Sequence, residues 1–243
     1  MKDKVITFFG GDAKTGTTML SESMAEALAK EKKRVLLIKA SCEKNDSFIP
    51  KSEGLGIDYI AKFKPSEQDI KKITQRYKGY DYIKGNDSIA LVKLFNEYTV
   101  SEIVELVGKD YDCIIVDGGH NFHFPLPVSA LIAGDRRYYV VEPTNRSMER
   151  TLDMLGSIAK HLSVKEGRYS FGTDEDDKII LNKFTDKGIL NVDTVRAYLG
   201  KEVLTVPLVS NGPVAEINEK TFYASGNKGF VSAIGEIMKD LED

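Results

Sequence analysis

Apolar residues along this chain fall in short dense runs, separated by longer stretches in which they recur every three or four positions. The first run, residues 5–9, is rich in β-branched and aromatic side chains and predicts a strand. From 17 to 32, Met19, Leu20, Met24, Ala27 and Leu28 keep helical spacing. Val35-Leu36-Leu37-Ile38 and Cys113-Ile114-Ile115-Val116 are continuous apolar runs, as are 138–141 and 179–181, and 203–206 reads as a further strand with Thr205 among its apolar residues. Unbroken runs of this kind are the pattern of strands buried on both faces. Helices are predicted over 100–107, about 147–161 and 229–241, and the apolar stretches 82–83 and 89–94 flank a turn at Gly85-Asn86-Asp87. Strands alternating with helices imply right-handed parallel βαβ units. The expected fold class is therefore α/β, a doubly wound and mostly parallel sheet, read as one domain over residues 1–243. Ligands in such sheets bind at the carboxyl ends of the strands.

One segment at such a strand end carries chemistry. Gly10-Gly11-Asp12-Ala13-Lys14-Thr15-Gly16-Thr17-Thr18 leaves the first strand and opens the first helix. A phosphate-cradling loop needs that setting, because glycines admit close backbone approach and free N–H groups at a helix N-terminus face the anion. Gly11 and Gly16 have the spacing of the Walker A pattern G-x-x-x-x-G-K-[ST], and Thr18 falls at the hydroxyl that ligates Mg2+. Thr17 stands where the pattern has lysine, and Lys14 is the only lysine in the loop. The bland reading of the same residues is a tight strand-to-helix turn that binds nothing.

Composition narrows the classes. Hydrophobic residues are 42% and charged residues 29%, an ordinary globular balance. The formal net charge of −3 gives no global attraction to nucleic acid or to an anionic membrane. Lys71, Lys72, Arg76 and Lys78 cluster on a stretch read as helical, and a solvated face explains them without nucleic acid. No apolar stretch approaches the roughly 20 residues that span a bilayer. The last helix ends net acidic, so it reads as a core helix rather than a membrane anchor. Two cysteines, Cys42 and Cys113, form no C-x-x-C pair and read as inert thiols in a reducing, cytoplasmic setting. The acidic stretch Asp174-Glu175-Asp176-Asp177 reads as a solvated loop.

The order of these segments resembles the ParA/MinD ATPases, and within them the CpaE/TadZ pilus-assembly branch. The resemblance rests on the loop just quoted, on Tyr111-Asp112-Cys113-Ile114-Ile115-Val116-Asp117, on Ala133-Gly134-Asp135 with Val140-Val141-Glu142-Pro143, on Ser147, on Leu181-Asn182-Lys183 and on Val206-Pro207. It implies an ATP or ADP site with Mg2+. Gly11, Asp12, Ala13, Lys14, Thr15, Gly16, Thr17 and Thr18 would line the phosphates, Asn182 and Pro207 would lie at the base, and Thr18 and Asp117 would hold the metal. It also implies a homodimer and a protein partner.

The departures from the family matter as much. Asp12 occupies the place of the signature lysine, which in the family reaches a dimer partner's phosphates. The second strand normally ends in D-x-D, whose first aspartate orients the attacking water; Lys39 and Ser41 stand there instead. The reading is a degenerate nucleotide-binding protein with weak or absent hydrolysis, acting as a positioning or assembly factor. Two rivals are an active partition-type ATPase using Lys14 as a displaced lysine, and a nucleotide-free interaction scaffold. Lys39 either faces the phosphates or pairs with Asp117, Asp12 or another nearby carboxylate. His120 and His123, with Cys113 or Cys42, are a further candidate for Zn2+ or Ni2+. The apolar residues Phe122, Phe124, Pro125 and Pro127 either form a partner surface or pack inward.

Overall fold

A computed structural model describes residues 4–42, 48–49, 54–166, 177–188, 190–210 and 212–242. Eight strands form one sheet: β1 (Val5–Gly10), β2 (Val35–Lys39), β3 (Thr74–Tyr77), β4 (Tyr80–Ile83), β5 (Cys113–Asp117), β6 (Arg136–Val141), β7 (Lys178–Phe184) and β8 (Val203–Pro207). Their order is β3-β4-β2-β5-β1-β6-β7-β8. Every neighbouring pair is parallel except β3 and β4. The helices are α1 (Thr17–Lys30), α2 (Glu67–Ile73), α3 (Thr99–Val107), α4 (Pro125–Ala133), α5 (Asn145–Glu166), α6 (Val192–Leu199), α7 (Gly212–Ile217) and α8 (Lys228–Asp240).

Alternation along the central strands sorts side chains to two faces. Phe9, Leu36, Ile38, Ile114, Val116 and Tyr139 face one apolar layer, shared with side chains of α2 to α6. Phe8, Leu37, Cys113, Ile115, Tyr138 and Val140 face the other, shared with α1 and α8. This is the doubly wound sheet expected. Because α8 turns Phe230, Ala233, Ile234 and Ile237 into that second layer, it is a core helix, as the sequence implied. Among the described residues no helix is long and apolar enough to cross a membrane.

Three local expectations change. The basic stretch is not one helix: α2 ends at Ile73, and Arg76 lies on β3. Lys78 (φ 43°) and Gly79 (φ 92°) both take left-handed backbone, the two-residue turn that matches strand twist in a hairpin, so β3 folds back on β4. Lys71, Lys72, Arg76 and Lys78 pair with Glu67, Asp69, Asp81 and Glu26. Strand β6 begins two residues before its apolar run, because Arg136 and Arg137 are buried with counter-ions, Asp240 and Asp177. Asp177 is accordingly not solvated: it is 2% exposed and also accepts from the Tyr139 hydroxyl at 3.1 Å. Asp174, Glu175 and Asp176 lie outside the described residues.

Candidate functional site

The carboxyl ends of β1, β2, β5, β6, β7 and β8 converge on one edge, and the glycine loop crosses it between β1 and α1. Gly16 caps α1 with φ 98°, a left-handed conformation open to glycine at little cost. A Cβ there would stand 2.3 Å from Asn182 Nδ2, whose amide donates to the Thr15 carbonyl at 2.7 Å. Gly11 is as constrained from the other side, where a Cβ would meet Thr151 Oγ1 on α5 at 1.8 Å. The loop is thus clamped between β7 and α5. Among the described residues no acceptor takes the backbone N–H of Lys14, Thr15, Gly16, Thr17, Thr18 or Met19. Six successive donors lead into the N-terminus of a 14-residue helix, where the helix dipole adds positive potential.

Charged side chains surround the loop. Lys14 is exposed and takes a left-handed φ of 63°, rare for a residue with a Cβ, and its carbonyl accepts from Lys183 Nζ at 2.8 Å. Lys183 also pairs with Glu142. Asp12 pairs with Arg150 of α5 and lies 3.7 Å from Arg146 Nε. Burial opposes the Asp12 charge, but the Ala13 N–H and the two guanidiniums outweigh it and hold the carboxyl below its ordinary range. Four cations and two carboxylates therefore flank the loop, an excess of positive charge where phosphate would bind. Thr15 and Thr17 turn their hydroxyls inward, 3.2 Å apart and buried, so Thr17 supplies no cation in the lysine's place. Pro207 ends β8, opposite Phe184 of β7.

Behind the loop lies a buried charge cluster that the sequence only half disclosed. Thr18 Oγ1 donates to Asp117 Oδ2 at 2.8 Å, bringing together the two expected metal holders. Lys39 Nζ lies 2.9 Å from the same oxygen and 2.9 Å from Glu22 Oε1. Glu22 Oε2 accepts from the Phe48 N–H at 3.0 Å, and Gly119 N–H donates to Asp117 Oδ1 at 3.4 Å. Lys39 is 2% exposed, and Asp117 and Glu22 are fully buried. Burial alone would push the Lys39 ammonium down; the Asp117 and Glu22 carboxylates outweigh it and hold it above its ordinary value. Of the sequence alternatives for Lys39, pairing with carboxylates is the one observed, with Glu22 rather than Asp12 as the second partner.

No family model and no curated protein matches this sequence. The ParA family ATPase of Chlorobium tepidum superposes with a TM-score of 0.79 at 18% identity, covering 99% of both chains. Apo McdA of Cyanothece gives 0.80 at 11%, over 98% of this chain and 99% of that one. The septum site-determining protein MinD of Pyrococcus horikoshii, solved with Mg-ADP, gives 0.74 at 14%, over 97% and 96%. The fold is that of the ParA/MinD ATPases. Identities this low carry the fold and no more.

Within the ParA/MinD fold, the donors present suit a phosphate chain: six N–H groups with no acceptor among the described residues, a helix N-terminus and flanking cations. Thr18 Oγ1 donates and keeps its own lone pairs, but the carboxylate that would support a divalent cation beside it is occupied. Both lone pairs of Asp117 Oδ2 are engaged, by a hydroxyl and by a buried ammonium. Nor do His120 and His123 gather ligands, since no group of three or more His, Cys, Asp or Glu among the described residues could hold a metal ion. Phe122 packs on Phe9 with ring centroids 5.1 Å apart and Pro127 is buried in α4, so these two turn inward, while Phe124 and Pro125 are half-buried. Phe63 and Leu94 are more exposed and border a groove of about 580 Å3 between 60–65 and 94–102. Glu22 is the functional residue the sequence reading missed. Its signal was indirect, a lysine in an apolar strand that had to find a buried carboxylate.

Proposed function

We propose that this chain binds a nucleoside di- or triphosphate in the glycine loop, hydrolyses it very slowly or not at all, and works as a positioning or assembly factor through a protein partner. The observation that carries the reading is the contrast between two halves of one site. The loop from Lys14 to Met19 is formed and donor-rich, while the position that would orient a water is a lysine locked between Asp117 and Glu22. An ammonium with no free lone pair cannot take a proton from water. Gly11, Asp12, Ala13, Lys14, Thr15, Gly16, Thr17 and Thr18 would line the phosphates, and Asn182 and Pro207 would bound the base. Among ParA/MinD proteins we take the CpaE/TadZ branch as the nearest in kind, since this loop resembles members of that branch that lack the Walker lysine, whose place Thr17 takes here. Homodimerisation over the loop face belongs to the same proposal.

Calorimetric titration with ADP and ATP tests the binding half. Wild-type protein should bind both, and Gly16→Ala should bind neither, since its Cβ displaces Asn182 and distorts the loop. A phosphate-release assay tests the other half. Losing one charge-stabilising contact typically lowers a rate about 10²–10³-fold, so turnover should be at least about 10²-fold below that of a MinD assayed alongside. Turnover equal to that MinD's, abolished by Thr18→Ala, would overturn the hydrolysis claim. Binding that Gly16→Ala leaves intact would overturn the site.

A further inference from the structure

We infer that the Lys39 ammonium takes up the carboxylate that would support a divalent cation behind the loop, so that the nucleotide is held without Mg2+. The inference rests on the nucleotide reading above. Three observations on named atoms support it. First, every oxygen of the two buried carboxylates already has a donor: Asp117 Oδ2 takes Thr18 Oγ1 and Lys39 Nζ, Asp117 Oδ1 takes Gly119 N–H, and the Glu22 oxygens take Lys39 Nζ and Phe48 N–H. A hydrated cation recruited there would have to evict one of them. Second, the ammonium is covalently placed. Lys39 ends β2 in register with Asp117 at the end of β5, so the charge is delivered by the sheet itself and not by solution chemistry. Third, Thr18 and Lys39 meet on one carboxylate oxygen, which puts the ammonium beside the first turn of α1. An ammonium at that point occupies the carboxylate that would support a divalent cation and leaves the Thr18 hydroxyl to meet one without it, while phosphate charge falls to the loop N–H groups and the flanking cations.

The ammonium also explains Glu22. A carboxylate one helical turn after Thr18, fully buried, would be severely destabilising alone; here it balances the lysine and fixes its direction. Lys39, Glu22, Thr18 and Asp117 thus form one unit, in which the cation is a side chain and its affinity for the site is set by folding.

Calorimetry on the full chain decides the matter, with ADP titrated in excess MgCl2 and again in EDTA. The expected result is a dissociation constant that agrees within about threefold between the two buffers. A loss of about tenfold or more in EDTA overturns this inference and leaves the nucleotide reading standing. No binding in either buffer overturns both. Electron paramagnetic resonance of added Mn2+ gives a readout independent of nucleotide chemistry. Wild-type protein with ADP should leave Mn2+ as free as ADP alone leaves it, whereas Lys39→Asp should bind it stoichiometrically. Since three buried carboxylates could prevent Lys39→Asp from folding, Lys39→Gln serves as the second variant, and Mn2+ should raise its melting temperature while leaving that of the wild type unmoved. Stoichiometric Mn2+ on the wild-type complex would overturn the inference.

Discussion

Replacing Lys39 by methionine would leave Asp117 and Glu22 buried without their shared counter-ion. Removing one partner of a buried pair is destabilising by about 3–5 kcal/mol, chiefly through the charge left behind. Urea unfolding of Lys39→Met against wild type should show a loss of that size. The pH dependence has a definite sign. A folded-state value raised above the ordinary 10.5 means that the lysine's contribution is complete below pH 10.5 and fades only as pH climbs past it. The gap between the two proteins should therefore hold steady through the neutral range and narrow in alkali. What was legible at this scale was the anomaly and not its resolution. Lys39 and Asp12 stand out in the sequence as charges where the family pattern has others. Their partners are far along the chain: Arg150 lies 138 positions from Asp12, and no periodicity links them.

Strands show the same division. Each central run was readable because burial on both faces removes the need for alternation. The ends of β6 were not, because Arg136 and Arg137 enter the sheet only by virtue of Asp240 and Asp177, and an arginine pair ordinarily signals surface. The β3–β4 hairpin was hidden for another reason: its turn is carried by Lys78 in left-handed backbone, without an asparagine or aspartate to announce it. Strand β5 makes a prediction of its own. Burial, the larger cause, and the nearby Asp112 carboxylate push the Cys113 thiol up to about 12, and Cys42 is buried as well. Iodoacetamide at mildly alkaline pH should therefore label neither cysteine until denaturant is added, as intact mass spectrometry would show. Rapid labelling of folded protein would mean that β5 is less enclosed than described.

On the scale of the molecule, the sheet separates two jobs. Its carboxyl edge carries the loop, Lys39 and Asp117; its opposite edge carries a latch. Asp240 near the end of α8 accepts from Tyr138 at 2.7 Å and Arg136 at 3.4 Å, and pairs with Lys178, so it joins the last helix to β6 and β7. Stranding those mostly buried donors should lower stability by about 2–3 kcal/mol in Asp240→Ala. Nucleotide affinity should not change, because the latch lies at the far end of the strands. Calorimetry and urea unfolding of the one variant check both halves. The overall order of strands was readable from alternation and the right-handed crossover rule, whereas the latch joins residues 102 and 104 positions apart and left no local trace.

That latch fixes a sequence in time. The apolar layer formed by Phe8, Tyr138 and Val140 is roofed in part by Phe230, Ile234 and Ile237, and a ribosome adds 220 residues after the end of the first strand at Gly10 to reach Phe230. At a synthesis rate of about 5–20 residues per second, the first strand waits on the order of ten seconds or more for its cover. During that interval α1 already lies on part of this face, and only the area that α8 will cover stays open to water.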